Sequence, residues 1–188
     1  MDVMLDLETL STRPESVVLT MGAIKFNPFK QDDFGQTLYI RPDVDEQISN
    51  GRHVSDDTMN WWLDQPEEVR EEALNTDDRM PIEEMLRTLN RFLVGVDNIW
   101  AQGPIFDIGI LENLYRQHNT PPPWKHWQIR DSRTIFGTHG DPREVGRHNL
   151  HNALADCVYQ AQGIQMVYHK LNLVSYSWKN GFTANVGT

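Results

Sequence analysis

The sequence predicts an α/β protein: a mixed sheet with helices on both of its faces. Three observations carry this. Three strand-like runs come first, divided by short links rich in Pro, Asn, Asp and Ser. Helical periodicity takes over from Ser55. One short apolar strand near Ile99 then interrupts the helices. Strands first and helices interleaved later is the order of a sheet with an antiparallel three-strand start and helices packed on its faces.

The first run, residues 2–8, contains VMLDLE. Residues two apart share a strand face, so Val3, Leu5 and Leu7 point one way, and Asp6 and Glu8 point the other. Two acids side by side on so apolar a strand either face water or hold something positive. VVLTMGAIKF (17–26) and FGQTLYIR (34–41) follow the turn-like links STRPES and NPFKQDD. SDDTMNWWLDQ (55–65) has a Ser/Asp cap and an apolar cluster, and PEEVREEALN (66–75) opens on Pro and acids, a good helix start. PIEEMLRTLNRFLVGV (81–96) sets Ile82, Met85, Leu86, Leu89 and Leu93 at helical spacing.

NIWAQG (98–103) reads as a short buried strand. PIFDIGILENLYRQHN (104–119) is again helical, and PPPW (121–124) must break it. Residues 125–148 read as loop, with a short apolar piece at Ile135–Phe136. Residues 150–171 read as one long helix with Leu154, Val158, Ala161, Gln165 and Tyr168 along one side. No repeat or low-complexity linker divides the chain, so residues 1–174 form one expected domain, followed by a tail over 175–188.

Bulk properties narrow the function. No apolar stretch is long enough to span a membrane, and the N-terminus lacks the basic and apolar regions of a signal peptide. The lone Cys157 argues against a disulfide framework and fits a reducing compartment, so a cytoplasmic protein is expected. The net charge of −10 argues against broad binding to long nucleic acid, which relies on a basic surface. It still allows an enzyme that grips one strand end through bound metal ions. Lys125 to Arg147 carries a net +2, against −12 for the rest of the chain. That segment is either a basic loop on an acidic protein or the place where phosphates lie.

Acids recur at telling positions. Asp107 stands near the start of its helix on the face of Ile110, Leu111 and Leu114. A carboxylate there is costly unless paired or bound to a cation, although it would also interact well with the helix N-terminus. Asp156 would by itself be a solvated helix acid. His151 precedes it by five residues in HNALAD, and five residues turn a helix through about 140° net. The two could therefore work together only if His151 stands at the helix entrance. Gly146 and His148–Asn149 fit a loose entrance. Oxygen ligands from three segments suit hard divalent cations. Cys pairs, HExxH, P-loops, GxGxxG motifs and nucleophile elbows are all absent.

The set DLET (6–9), FD before an apolar helix (106–107) and HNALAD (151–156) resembles the DEDDh 3′–5′ exonucleases, the DnaQ-like branch of the ribonuclease H-like superfamily. The resemblance covers residues 2–171 in order and spacing. The sister branch has Tyr four residues before the last Asp; here Asn152 stands there and His151 stands at five. DLETLSTRPESVVLTMGAIKF, the WW at 61–62 and RDSRTIF at 130–136 look like the small phage and bacterial exodeoxyribonuclease VIII-like and RNase AS-like proteins, which suggests a phage or prophage origin.

The resemblance implies a ribonuclease H-like mixed sheet with later parallel strands. It implies two divalent cations, Mg²⁺ or Mn²⁺, held by Asp6, Glu8, Asp107 and Asp156, with His151 as general base. It implies a single-stranded DNA or RNA 3′ end as substrate and nucleoside 5′-monophosphates as products. Thr9 and Leu10 would meet the terminal nucleotide, Trp61 or Trp62 would stack on a base, and Arg133 would contact phosphate. Two adjacent Trp on one helix cannot both face the core. Relatives often pair as homodimers, though no residue pattern here marks an interface. The competing expectations are a non-catalytic binding module on the same fold, an enzyme for oligonucleotides or dinucleotides, and a proofreading subunit. All five motif residues are present, which counts against the first of these.

Overall fold

The computed structural model describes residues 1–143 and 151–175. The three N-terminal strands are β1 (Asp2–Thr9), β2 (Val18–Phe26) and β3 (Phe34–Ile40). Helices α1 (Val44–Ser49), α2 (Asp56–Leu63), α3 (Glu67–Leu74) and α4 (Ile82–Phe92) follow. Next come β4 (Ile99–Ala101), α5 (Pro104–Gln117), β5 (Ile129–Asp131), α6 (Ser132–His139) and α7 (Ala153–Lys170).

The sheet runs β3-β2-β1-β4-β5. β1–β2 and β2–β3 are antiparallel, and β1–β4 and β4–β5 are parallel. This is the mixed ribonuclease H-like sheet. Alternation along β1 gives each sheet face its own core. Val3, Leu5 and Leu7 pack with Ile82, Met85, Leu86 and Leu89 of α4 and with Ile108, Leu111 and Leu114 of α5. Met4 points the other way, with Ile24, Phe26 and Trp100, against Phe136 of α6 and Cys157, Ala161 and Ile164 of α7. A third cluster joins Leu10, Val17, Leu19, Trp62 and Ala73 under α2 and α3.

Three expectations need correction. The region read as loop over 125–148 contains β5 and α6. A three-residue strand is too short to display alternation, and its place is decided by pairing with β4. The helix α1 follows β3 without having been foreseen. The buried face of α7 runs through Ala153, Cys157, Ala161 and Ile164, while Leu154 and Val158 are only half-buried. Small side chains face the sheet because the helix lies close against it, and the larger ones go to the rim.

No helix among the described residues is long and apolar enough to cross a membrane. Gly146, Arg147 and His148–Asn149, and residues 176–188 of the tail, lie outside the described residues.

Candidate active site

The site is built from β1 outward. Asp6 and Glu8 share the sheet face that α7 covers, and the strand register shifts between Glu8 and Thr9. Such irregularities end regular pairing and re-aim side chains. Beside the shift, the buried Gln47 amide accepts from the Val18 N–H at 2.8 Å and donates to the Val18 carbonyl at 2.9 Å. A side chain thus closes the ladder where the strands part.

α7 delivers Asp156. Asn152 caps the helix by accepting from the Ala155 N–H at 3.0 Å. The helix start sits hard against β2: a Cβ on Gly22 would lie 2.3 Å from the Ala153 backbone carbonyl. Gly22 is the register partner of Asp6. The missing side chain at Gly22 therefore lets the N-terminus of α7, and Asp156 with it, reach Asp6.

α5 delivers Asp107. Gly103 takes φ +95° before it, a left-handed conformation that favours glycine, and Pro104 opens the helix. β4 pairs with β1 only at Val3 and Met4. Beyond that point the Leu7 N–H is free of the ladder, and it donates to Asp107 Oδ1 at 3.1 Å. Asp107 is buried, as its place on the apolar helix face predicts.

Asp6, Glu8 and Asp156 can each present an oxygen within 4.8 Å of the others. Burial is the chief force raising the Asp6 carboxyl well above its ordinary range, and the charges of Asp107, Glu8 and Asp156 add to it. Glu8 is pushed up to about 8, first by burial and then by Asp156 and Asp107. Burial also raises Asp107, against the opposing pull of the Leu7 N–H and Arg133. It raises Asp156 as well, opposed by the His151 N–H. Gln160 donates to Asp6 Oδ1 at 3.0 Å, and its own buried Oε1 has no hydrogen-bond partner among the described residues. An all-oxygen set of mutually repelling acids, beside an orphaned acceptor, fits hard divalent cations.

His151 stands just before α7, at the entrance that the helix geometry requires. It adopts φ +67°, and its N–H donates to Asp156 Oδ2 at 3.0 Å. Its ring lies edge-on to Trp61, centroids 4.8 Å apart. Acids and His151 line one cleft of about 450 Å³ together with Gln102, Phe106, Arg133, Asp141, Arg143, Tyr159 and Gln160. Arg133 is exposed at its rim and donates to the Gln102 carbonyl at 3.1 Å. Arg143 was not singled out from sequence. It grips Asp141 at 2.6 Å and Gln102 Oε1 at 2.8 Å.

A second cleft of about 430 Å³ shares Leu7, Glu8 and Phe106 with the first and continues to Thr9, Ser55, Thr58 and Trp61. Trp61 is 40% exposed and Trp62 is 1% exposed. Trp62 donates its indole N–H to the Thr9 carbonyl at 2.9 Å. Leu10 is likewise buried, in the third core cluster. Thr9, Leu10 and Trp62 are all buried, and of the four residues expected to face substrate here Thr9, Trp61 and Trp62 line this cleft while Leu10 does not. Gly22, Gln102 and Gln160 were also missed, and no local pattern marks them, because their partners are 31 to 154 residues away.

The model of the 3′–5′ exoribonuclease Rv2179c-like domain matches residues 1–168. No curated protein matches the chain. Among solved structures, the chain is similar to cell-death related nuclease 4 (CRN-4), with TM-score 0.62 and 15% identity, over 89% of this chain and 63% of that one. The nuclease domain of 3′hExo, a DEDDh family member bound to rAMP, is similar with TM-score 0.54 and 14% identity, over 93% and 95% of the two chains. Exonuclease X in complex with 5′ overhanging duplex DNA is similar with TM-score 0.51 and 16% identity, over 93% and 95%. At such identities the structural likeness is one of fold.

Proposed function

The chain belongs to the Rv2179c-like 3′–5′ exoribonuclease domain family, making it a DEDDh-type, metal-dependent 3′–5′ exonuclease, and on that premise we propose that it shortens single-stranded RNA from the 3′ end and releases nucleoside 5′-monophosphates. The family description supports RNA over DNA. The observation that carries the reading is the convergence of Asp6, Glu8 and Asp156 within 4.8 Å, with Asp107 alongside.

Two divalent cations, Mg²⁺ or Mn²⁺, held by Asp6, Glu8, Asp107 and Asp156, would supply the charge that stabilises the attacking and leaving oxygens of an in-line displacement. His151 takes the proton of the attacking water. Attack on phosphorus breaks its bond to the O3′ of the preceding nucleotide. Arg133, exposed at the cleft rim, holds a substrate phosphate. Thr9 and Trp61 line the groove that continues past Glu8 and receive the terminal nucleotide, Trp61 by stacking. The functional unit is residues 1–174, and a homodimer is tested by sizing.

The test uses 5′-labelled single-stranded RNA and DNA of one sequence, with Mg²⁺, Mn²⁺ or EDTA, beside an Asp6→Ala variant. The expected result is a ladder shortening from the 3′ end, faster on RNA and abolished by EDTA and by the substitution. Equal or faster shortening of DNA would overturn the RNA assignment. No shortening of either strand would overturn the reading.

A further inference from the structure

Among the described residues, no hydrogen-bond partner gives the His151 ring the support that a general base ordinarily has. An imidazole in that role is usually oriented by a hydrogen bond on its second nitrogen. Among the described residues the His151 ring has no such partner. Its backbone N–H is tied to Asp156 Oδ2 at 3.0 Å, and its φ of +67° is a left-handed conformation that histidine adopts uncommonly. The backbone is therefore pinned while the ring is left to its neighbours. Those neighbours are indoles: Trp61 at 4.8 Å and 88° between ring planes, and Trp62 at 6.5 Å and 80°.

This aromatic wall is itself built. Trp62 is buried and held through the Thr9 carbonyl, one residue beyond Glu8. Trp61 packs edge-on against Trp62 at 5.0 Å and 77°. The chain of contacts runs Thr9, Trp62, Trp61, His151, and it links the end of β1 to the entrance of α7. Edge-to-face placement is the preferred aromatic geometry, and it fixes a ring's direction without occupying either imidazole nitrogen. Among the described residues, neither nitrogen is taken up by another partner.

We infer that Trp61 is the positioning residue for His151. This rests on the reading of His151 as general base and goes beyond it. Trp61 stands in the groove that continues from the acids and is 40% exposed. One indole therefore holds the general base with its packed part and meets the terminal nucleotide with its open part. Nucleotide binding and the direction of the imidazole are mechanically joined at Trp61.

The experiment compares the wild type with Trp61→Ala, Trp61→Phe, His151→Gln and the Trp61→Ala/His151→Gln pair. Single-turnover rates are measured at saturating enzyme on a labelled single-stranded RNA, and His ring ¹H–¹³C spectra are recorded on the metal-free protein. Trp61→Ala should lower the saturated rate about five- to tenfold, the effect of losing one aromatic contact, and Trp61→Phe should restore most of it. In the His151→Gln background Trp61→Ala should cost nothing further at saturation. The His151 ring resonance, assigned by its loss in His151→Gln, should lie close to the wild-type position in Trp61→Phe and move in Trp61→Ala. A role in stacking alone would raise KM at unchanged saturated rate, with or without movement of the resonance, and would overturn the inference. So would an equal loss in both backgrounds, or a rate loss with an unmoved resonance. A wild-type rate in His151→Gln would instead overturn the general-base reading beneath it.

Discussion

The two ends of β1 handle buried acid in opposite ways. Asp2, Met4, Asp6 and Glu8 share one strand face, yet Asp2 lies at one end and the Asp6–Glu8 pair at the other. Burial raises the Asp2 carboxyl, but Trp100 donates its indole N–H to it at 2.7 Å and Asn98 its amide at 3.0 Å. That acid is satisfied by neutral donors, and it ties β1 to β4. At the far end, among the described residues, Asp6 accepts a side-chain hydrogen bond from Gln160 alone and confronts three further carboxylates. The first arrangement is complete as protein. The second gathers carboxylates whose charge must be balanced by protons or by a bound cation. Burial of a carboxylate therefore does not mark a site; burial among other carboxylates does.

The sharpest test of this contrast is activity. Asp6→Asn should lower kcat/KM by about three orders of magnitude or more, as expected when a group that holds catalytic metal is lost. Asp2→Asn should stay within a few-fold. Comparable losses at both positions would erase the distinction. Next in size is Gly22→Ala. Its new methyl meets the α7 backbone rather than a flexible side chain, so the variant should lose about 1–3 kcal/mol of stability and most activity, read by denaturant unfolding and rate. An active, fully stable Gly22→Ala protein would show that the close approach of α7 is not needed.

The structural end has its own signature. Asp2→Ala orphans the buried Trp100 N–H and should cost about 1–3 kcal/mol in urea unfolding, whereas Asp6→Asn should leave the metal-free protein no less stable. A smaller effect follows from pH. Glu8 rises from its ordinary 4.5 to about 8 in the folded protein. The folded state then binds more protons than the unfolded one between those values, so stability of the metal-free protein should fall as pH climbs from about 4.5 to about 8. Saturating Mg²⁺ should flatten that slope, since the cation favours the ionised carboxylates. A thermal-melt series with and without EDTA measures both. The smallest effect belongs to the cleft rim: Arg133→Ala should raise KM only a few-fold and leave kcat near wild type, because an exposed arginine contributes little per contact.

Much of this was legible locally. Alternation in VMLDLE put Asp6 and Glu8 on one face, and the helix start at Pro104 followed from its proline, whereas the last helix, read from Leu150, is capped by Asn152 and starts at Ala153. The requirement that His151 stand at a helix entrance followed from helix geometry alone, and the structure places it two residues before α7. The β5–α6 unit escaped notice because three strand residues carry no period. The true inner face of α7 escaped because apolar size suggested Leu154 and Val158, while close packing selects Ala and Cys.

By itself, then, the sequence determined the first four strands, most of the helices and the residue types of the acid set, because these depend on periods of two and 3.6 and on caps a few residues long. Only the tertiary structure decided that the acids meet. Asp6 and Asp156 are 150 positions apart, and what joins them is the space left at Gly22. It also decided that Trp61 is open while Trp62 is buried, since neighbouring helix positions differ only in which way they face. Such facts depend on contacts between distant segments, where a missing Cβ or a shared carbonyl outweighs any local preference.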